Sequence, residues 1–498
     1  MGKSATFQDI SLTPPREGEE LGRWLYNALR AAILDGRLKR GARMPSTRNL
    51  SRQYTLARGT VAAAFDSLKS EGYIETKVGS GTFIATRLPE DWMAARGGFV
   101  DTIPEPSKAD LSRRGKGTVD GVRLLPASHS LGKAFRSYEP AIDLFPVNLW
   151  SRVAGRVLRR APRSVYGQGD ARGYLPLRKA VAEYVGSARG VRCDAGRVII
   201  TSGAQQGLDI VARMLLDPGD AVWMEDPGYP GARFALNAAG AQIVPVPVDN
   251  EGLMVDEARR QQPYAKLAYV TPANQFPLGV AMSPRRRIEL LDWAAEENAW
   301  VVEDDYDAEY RYSGKPLPSL QSLDRSECVI YLGTFTKMLF NSLRLGFLIV
   351  PERVVDAFAA ARTIVDRHPP TLEQAILAEF ILEGHFGHHV RRMRQIYSRR
   401  IVTLCEAAHE RFAGRLDVVQ AASGMRTVAW IRTGQKDTHV TQRARALGLE
   451  TAALSDFSIR HFHPGALILG FAGCAAAELK RGVEVLNGAL DQEAKAGA

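Results

Sequence analysis

Apolar positions in the first hundred residues repeat with a helical period and then with a strand period. Between Glu19 and Leu34 they fall at Leu21, Trp24, Leu25, Ala28, Leu29, Ala32 and Ile33, one face of a helix that Asp35-Gly36-Arg37 brings to a stop. Pro45 and Ser46 open a second helix over Thr47 to Gln53, with Ser46 as its cap. A third, from Arg58 to Glu71, turns Val61, Ala64, Phe65 and Leu68 inward before Gly72. The runs Tyr73 to Thr76 and Thr82 to Ala85 then flank a glycine-rich tip, Lys77-Val78-Gly79-Ser80-Gly81, as in a β-hairpin.

Three helices and a hairpin predict a winged helix-turn-helix over residues 15–86, and hence double-stranded DNA as its partner. The third helix would enter the major groove by its N-terminal end, with Arg58 and Thr60 outward and Gly59 between them. Arg43 and Arg48 suit phosphates, with Ser46 and Thr47 in the same DNA-facing set. Gly79, Ser80 and Gly81 would follow the backbone or the minor groove.

From Arg87 to about Arg136 the periodicity fades into Gly, Ser, Pro, Arg and Lys, the composition of a mobile linker. Beyond it, short β-branched runs alternate with amphipathic helices, the pattern of an α/β body with a mainly parallel or mixed sheet. Val198 to Ile200, Ala221 to Met224, Leu267 to Val270, Trp300 to Val302 and Cys328 to Leu332 read as buried strands that end at polar residues. A long helical stretch from His388 to Arg411 leads to a small C-terminal α/β domain with strands at Thr427 to Arg432 and Leu467 to Phe471. The expected division is 137–385 for the large domain and 386–498 for the inter-domain helix and small domain.

In an open α/β sheet, the residues just past strand ends line the ligand crevice. Lys337 follows the polar run Gly333-Thr334-Phe335-Thr336 and is placed to form a Schiff base with an aldehyde. Asp304, past the preceding strand, can face a pyridinium nitrogen. Arg344, Thr334 and Thr336 can hold a phosphate. Ser202, Gly203, Ala204 and Gln205 turn a strand into a helix, where free N–H groups and the positive dipole end favour an anion. Together these residues point to pyridoxal 5'-phosphate as cofactor.

Composition narrows the class further. The chain has 498 residues, 45% of them hydrophobic, enough for two or more domains. Residues 1–86 carry 13 Lys/Arg against 8 Asp/Glu, half of the net charge of +10 in about a sixth of the length, which suits a polyanion partner. Four scattered cysteines lack metal-ligand spacing or close pairing, as befits a reducing compartment. No apolar run suggests a leader or a membrane span, and a cytoplasmic protein is expected.

The runs EDDYDAEY, GTFTK and RLGF resemble the cofactor motifs of fold-type I aminotransferases. LYNALRAAILDGRL, GARMPSTRNLSRQY, RGTVAAAFDSLKSEGYIE and GSGTF are similar to the GntR-type head. The fusion of the two resembles the MocR family of bacterial regulators. The resemblance implies an internal aldimine at Lys337, Asp304 at the pyridine nitrogen, Tyr306 at the phenolic oxygen, Arg344 at the phosphate and Tyr229 stacked on the ring. It also implies a homodimer in which Tyr166 reaches the neighbouring subunit's phosphate.

Two departures stand out. Phe276 replaces the asparagine of the family's NPTG loop, leaving that contact absent or supplied by Asn274. Ile468 stands where the last strand carries the arginine that clamps a substrate carboxylate, with Arg460 and Arg426 as nearby alternatives. The expectation is a transcriptional regulator that senses PLP or an amino compound, a role in which turnover is unnecessary. The rival is an active aminotransferase carrying a DNA-binding appendage.

Overall fold

The computed structural model describes residues 12–15, 18–77, 79–94, 110–112, 115–117, 119, 133–314, 317–460 and 463–491. It divides into two compact units, Met1–Ala109 and Asp110–Ala498.

In the first unit α1 (Leu21–Leu34), α2 (Thr47–Gln53) and α3 (Arg58–Ser70) enclose a core of Trp24, Leu25, Leu29, Leu50, Val61 and Leu68. The periodic apolar positions form that core because only one stripe of each helix has to be buried. Ser46 Oγ accepts the Asn49 N–H at 3.2 Å and caps α2. The hairpin pairs β1 (Ile74–Lys77) with β2 (Gly81–Ile84), Lys77 opposite Gly81.

The head extends past the range expected from sequence. Leu12 is buried in its core, and Thr13 O accepts the Trp24 indole N–H at 2.8 Å. At the other end Leu88 is buried and α4 (Pro89–Ala94) is fastened by charge. Arg40 donates to both Asp91 oxygens at 2.7 and 2.9 Å, while Glu90 accepts from Tyr73 Oη at 2.6 Å and from Arg30 at 3.1 Å. Thus the first residues of the presumed linker are helix, held by acids whose partners lie 17 to 60 residues back. Its far end is also corrected: Phe135 is fully buried and bridges Gly470 within the second unit. Most of the stretch between lies outside the described residues.

The second unit is built on an eight-stranded sheet in the order β3-β10-β9-β8-β7-β4-β5-β6. Its strands are β3 (Val198–Thr201), β4 (Ala221–Asp226), β5 (Gln242–Asp249), β6 (Gly252–Leu253), β7 (Leu267–Val270), β8 (Trp300–Asp305), β9 (Val329–Thr334) and β10 (Gly346–Ile349). The central pairs are parallel, and β10 runs antiparallel between β3 and β9. A 28-residue helix, His385–Phe412, leads to an antiparallel sheet in the order β11-β12-β14-β13. These strands are β11 (Leu416–Val418), β12 (Arg426–Ile431), β13 (Ala452–Ala453) and β14 (Ala466–Gly470). The α/β class with a mixed sheet and a small C-terminal domain is the observed fold.

Three strands continue further than expected. β4 includes Glu225 and Asp226, β8 runs through Glu303, Asp304 and Asp305, and β9 runs to Thr334. Buried carboxylates tolerate strand geometry when each finds donors. Glu303 accepts the N–H groups of Leu320 and Gln321 at 2.7 and 2.8 Å, and Asp305 pairs with Arg189 and Tyr331 Oη, both at 2.7 Å. No helix among the described residues is long and apolar enough to cross a membrane.

Candidate cofactor site

The pocket lies where the strand ends of the large sheet face β12. Its lining includes Asp304, Tyr306 and Lys337, together with Arg344, Thr334 and Thr336 and with Tyr138, Phe276 and Arg426. Asp304 is buried and accepts from Tyr269 Oη at 2.6 Å through Oδ2, while Oδ1 has no partner. Burial, with Asp305 and Asp307 adding repulsion against the opposing Tyr269 bond, pushes its carboxyl up to about 7. A cation brought to Oδ1 would reverse that shift.

Lys337, half-buried, follows directly on the β9 strand end and donates from Nζ to Tyr138 O at 2.9 Å. Burial first, and then the Arg426 charge, push its ammonium down to about 8. An amine that loses its proton near neutrality is a usable nucleophile. Thr334 Oγ1 accepts the Thr336 N–H at 3.2 Å, and Thr336 Oγ1 is buried and unpartnered.

Arg344 adopts a left-handed backbone, φ 49°, and reaches across to Ser202 O at 3.4 Å. It fits because Gly203, at φ 85°, lacks a Cβ that would stand 3.1 Å from the guanidinium. Gly203 is also the cap of the helix Ala204–Leu215, and Ala204 and Gln205 line the pocket at its N-terminal end. Guanidinium, helix N-terminus and free hydroxyl form a cradle for a dianion. With the orphaned Asp304 oxygen in the same lining, these residues fit pyridoxal 5'-phosphate.

Some expectations land elsewhere. Asn274 is not part of the lining: its amide donates to Asp307 at 2.8 Å and to Tyr306 Oη at 3.3 Å, and its oxygen accepts from Ser423 at 3.0 Å. With every polar atom engaged, it supports Tyr306 from behind rather than replacing the missing NPTG asparagine. Tyr306 Oη also donates to Asn274 O at 2.6 Å and accepts from Arg426. Tyr229 lines the pocket with its ring edge-on to Phe276, centroids 5.4 Å apart. Tyr166 is exposed and outside this chain's pocket, its hydroxyl donating to Leu158 O at 3.1 Å. Ser202 meets Arg344 through its carbonyl rather than its side chain.

Sequence reasoning missed Ser137, Tyr138, Tyr269 and Met425, all of which line the pocket. Tyr269 sits in a strand that reads as wholly apolar, and Tyr138 at the end of the presumed linker; neither has a local motif. Arg460 is exposed, with its backbone N–H rather than its guanidinium engaged, on Asp226 at 2.7 Å. His461 lies outside the described residues.

On the head, Arg43, Arg48, Arg58, Gly59, Gly79 and Ser80 are exposed, and Thr60 partly so. Arg43 bridges Phe83 and packs against Gly81, where a Cβ would come within 2.9 Å of its Nε. The wing and the loop before α2 are thereby joined into one basic surface.

Comparison with known proteins agrees with both units. Residues 147–486 match aminotransferase class I and II, and residues 21–84 match bacterial regulatory proteins of the gntR family. The chain is 38% identical over 468 residues to the probable rhizopine catabolism regulatory protein MocR of Rhizobium meliloti, covering 94% of this chain and 93% of that one. It is 32% identical to the HTH-type transcriptional regulator TauR of Rhodobacter capsulatus, covering 81% and 82%. Among solved structures, LysN, an alpha-aminoadipate aminotransferase of Thermus thermophilus complexed with a phosphopyridoxyl-leucine, superposes with a TM-score of 0.69 at 28% identity, covering 76% of this chain and 97% of that one. With a GntR head and an aminotransferase class I and II body in one polypeptide, the chain belongs to the MocR family of helix-turn-helix transcriptional regulators.

Proposed function

We propose that this protein is a PLP-dependent transcriptional regulator whose body binds pyridoxal 5'-phosphate at Lys337 and reads an amino compound, or the cofactor itself, while its head binds double-stranded DNA. The observation that carries this reading is the buried, unpartnered Oδ1 of Asp304 in the same pocket as Lys337 and the Arg344 cradle. Several buried carboxylates here keep an unpartnered oxygen, and Asp304 and Asp307 are those that line this pocket, where an open oxygen is set for a cation. When bound, the cofactor supplies an aldehyde that exchanges between amines.

The chain's own residues divide the work. Lys337 offers the amine and returns it to the pocket when displaced. Asp304, oriented by Tyr269, keeps the ring nitrogen protonated. Arg344, Thr334, Thr336 and the Gly203 turn anchor the phosphate, Tyr229 covers the ring, and Tyr306 holds the phenolic side with Asn274 behind it. Tyr166, on the surface, is assigned to the phosphate of a second subunit in a homodimer. The residues displaced by the effector lie next to β12 of the small domain, so effector exchange would bias the small domain and, through the dimer, the two heads.

The test is the visible absorbance of the purified chain, wild type and Lys337→Ala, followed while amines are added and binding to its own upstream DNA is measured. A lysine-dependent band that shifts with an amine and changes DNA affinity, with no sustained keto-acid production, is expected. Steady transamination with DNA binding indifferent to the cofactor would overturn the coupling and make an aminotransferase with an appendage the better description.

A further inference from the structure

The polypeptide coming from the head enters the body along the cofactor pocket. Lys133 to Arg136 lie on the small domain: Gly470 N–H donates to Phe135 O at 2.9 Å, Glu450 N–H to Ala134 O at 3.0 Å and Cys474 Sγ to Lys133 O at 3.3 Å. Glu450 also pairs with Lys133 and Arg136, at 3.6 and 3.3 Å. The seat is shaped for this segment. A Cβ at Gly470 would run into Arg136 O, and one at Gly482, in the helix Ala476–Asp491, would stand 2.9 Å from Ala134 Cβ.

The next two residues, Ser137 and Tyr138, line the pocket. Ser137 Oγ is buried without a partner, and the Tyr138 ring stacks on Phe276 with centroids 6.0 Å apart. Tyr138 O accepts from Lys337 Nζ, a large-domain atom, at 2.9 Å, and among the described residues no other donor meets it. The turn is thus held by one ring contact and one charge-assisted bond, and that bond is made by the nitrogen that carries the pocket's chemistry.

We propose that Lys133–Glu139 is a strap latched by the Lys337 ammonium and freed when an aldehyde engages that nitrogen, so that the polypeptide leading from the head reads the state of the lysine directly. This rests on the sensing role proposed above and gives it a route within one chain. On condensation the ammonium gives a proton to solvent, the nitrogen bonds to the aldehyde carbon, and the aldehyde oxygen leaves as water. At most one of three N–H groups remains, and the nitrogen is drawn towards that carbon. When an amine takes over the carbon, the bond from Lys337 breaks and the two protons the amine gives up pass to the lysine nitrogen. A third, from solvent, restores the ammonium. The strap is therefore latched in cofactor-free protein, free with cofactor alone, and latched again once an amine has displaced the lysine. Slackening the turn frays the bonds to Ala134 and Phe135 just before it.

Amide exchange of the full chain follows the strap at two donors outside it, the N–H groups of Glu450 and Gly470. Cofactor alone should speed exchange at both by about tenfold or more, the factor one charge-assisted bond supplies, although a bound ligand ordinarily slows exchange. Hydroxylamine, which strips an aldehyde from a lysine, should return both to the cofactor-free rate. In cofactor-free protein Lys337→Arg keeps a cationic donor and should protect both sites, whereas Lys337→Ala should expose them. Gly470→Ala, which unseats the strap, should keep the lysine-dependent absorbance and lose the effect of cofactor on DNA affinity; Glu450→Gln removes two ion pairs without a clash and serves if that chain does not fold. Exchange that slows or stays constant with cofactor, or is equal in Lys337→Arg and Lys337→Ala, overturns the latch. A chain without the lysine-dependent band overturns the cofactor reading instead, and the two Lys337 variants still decide the latch.

Discussion

Tyr269 Oη and Asp304 Oδ2 are joined by a 2.6 Å hydrogen bond from β7 to β8, which fixes the carboxylate in the orientation that leaves Oδ1 open to the pocket. Asp304→Asn removes the acid assigned to the ring nitrogen and should weaken cofactor retention by about tenfold or more. Tyr269→Phe keeps the charge but frees its orientation, and should cost less. Dialysis of each variant against decreasing cofactor, followed by absorbance, separates them.

The same carboxyl sets a pH dependence in the cofactor-free chain. Its folded value, about 7, lies above the ordinary Asp value of 3.8, so the folded state binds the extra proton between the two. Asp304 therefore favours folding at acid pH, and that contribution fades as pH rises through about 7. Asp304→Asn should raise the melting temperature of cofactor-free protein more at pH 8 than at pH 5, by roughly 1–3 kcal/mol in stability. A difference of the opposite sign would show that Asp304 has a counter-charge.

Lys337 titrates the other way. Depressed to about 8, it is mostly charged at pH 7 and mostly neutral at pH 9. The rate at which cofactor-free protein takes up the aldehyde should climb through a midpoint near 8. Arg426→Gln removes a neighbouring positive charge and should move that midpoint upward.

Asp226, at the end of β4, accepts the backbone N–H groups of Ile459 and Arg460 at 2.8 and 2.7 Å, and Phe457 O accepts from Gly228 N–H at 3.0 Å. Asp226→Ala removes the acceptor of the Ile459 and Arg460 N–H groups, at a cost of about 1 kcal/mol for each of these part-buried bonds. Amide exchange at Ile459 and Arg460 should accelerate well before global unfolding, with the large sheet still protected.

On the head, Ser46→Ala removes the α2 cap and should cost about 1 kcal/mol in stability. Arg48→Ala should weaken binding to all duplexes and lower the salt slope by about one counterion, whereas Arg58→Ala should lose discrimination between sequences. Equal effects of both on specific and random DNA would remove α3 from the groove.

How far the chain could be read in advance depended on the range of the interactions. α2 was legible to the residue because Pro45, Ser46 and a single leucine face determine it locally. Lys337 and Asp304 were legible because each lies just past a β-branched run, and Arg344 because it follows Lys337 by seven residues. The reach of β8 through its carboxylates was not: it depends on Arg189, Tyr331 and the N–H groups of Leu320 and Gln321, which lie 17 to 116 residues away along the chain. Asn274 was misplaced for the same reason, since its partner Ser423 belongs to the other domain. Arg426 could be listed as a nearby arginine, but only the fold shows it in the pocket lining.

The strand order of the large sheet also constrains how the protein is made. β3 sits at the sheet edge and pairs with β10, whose first residue follows the last of β3 by some 145 positions. During synthesis β3 must wait, unpaired, for most of the large domain to leave the ribosome, while the head, whose core closes within its first hundred residues, can fold at once. A stalled or truncated chain would thus carry a finished DNA-binding head on an unfinished body. Nascent polypeptides of this protein are expected to need chaperone protection over the interval between β3 and β10.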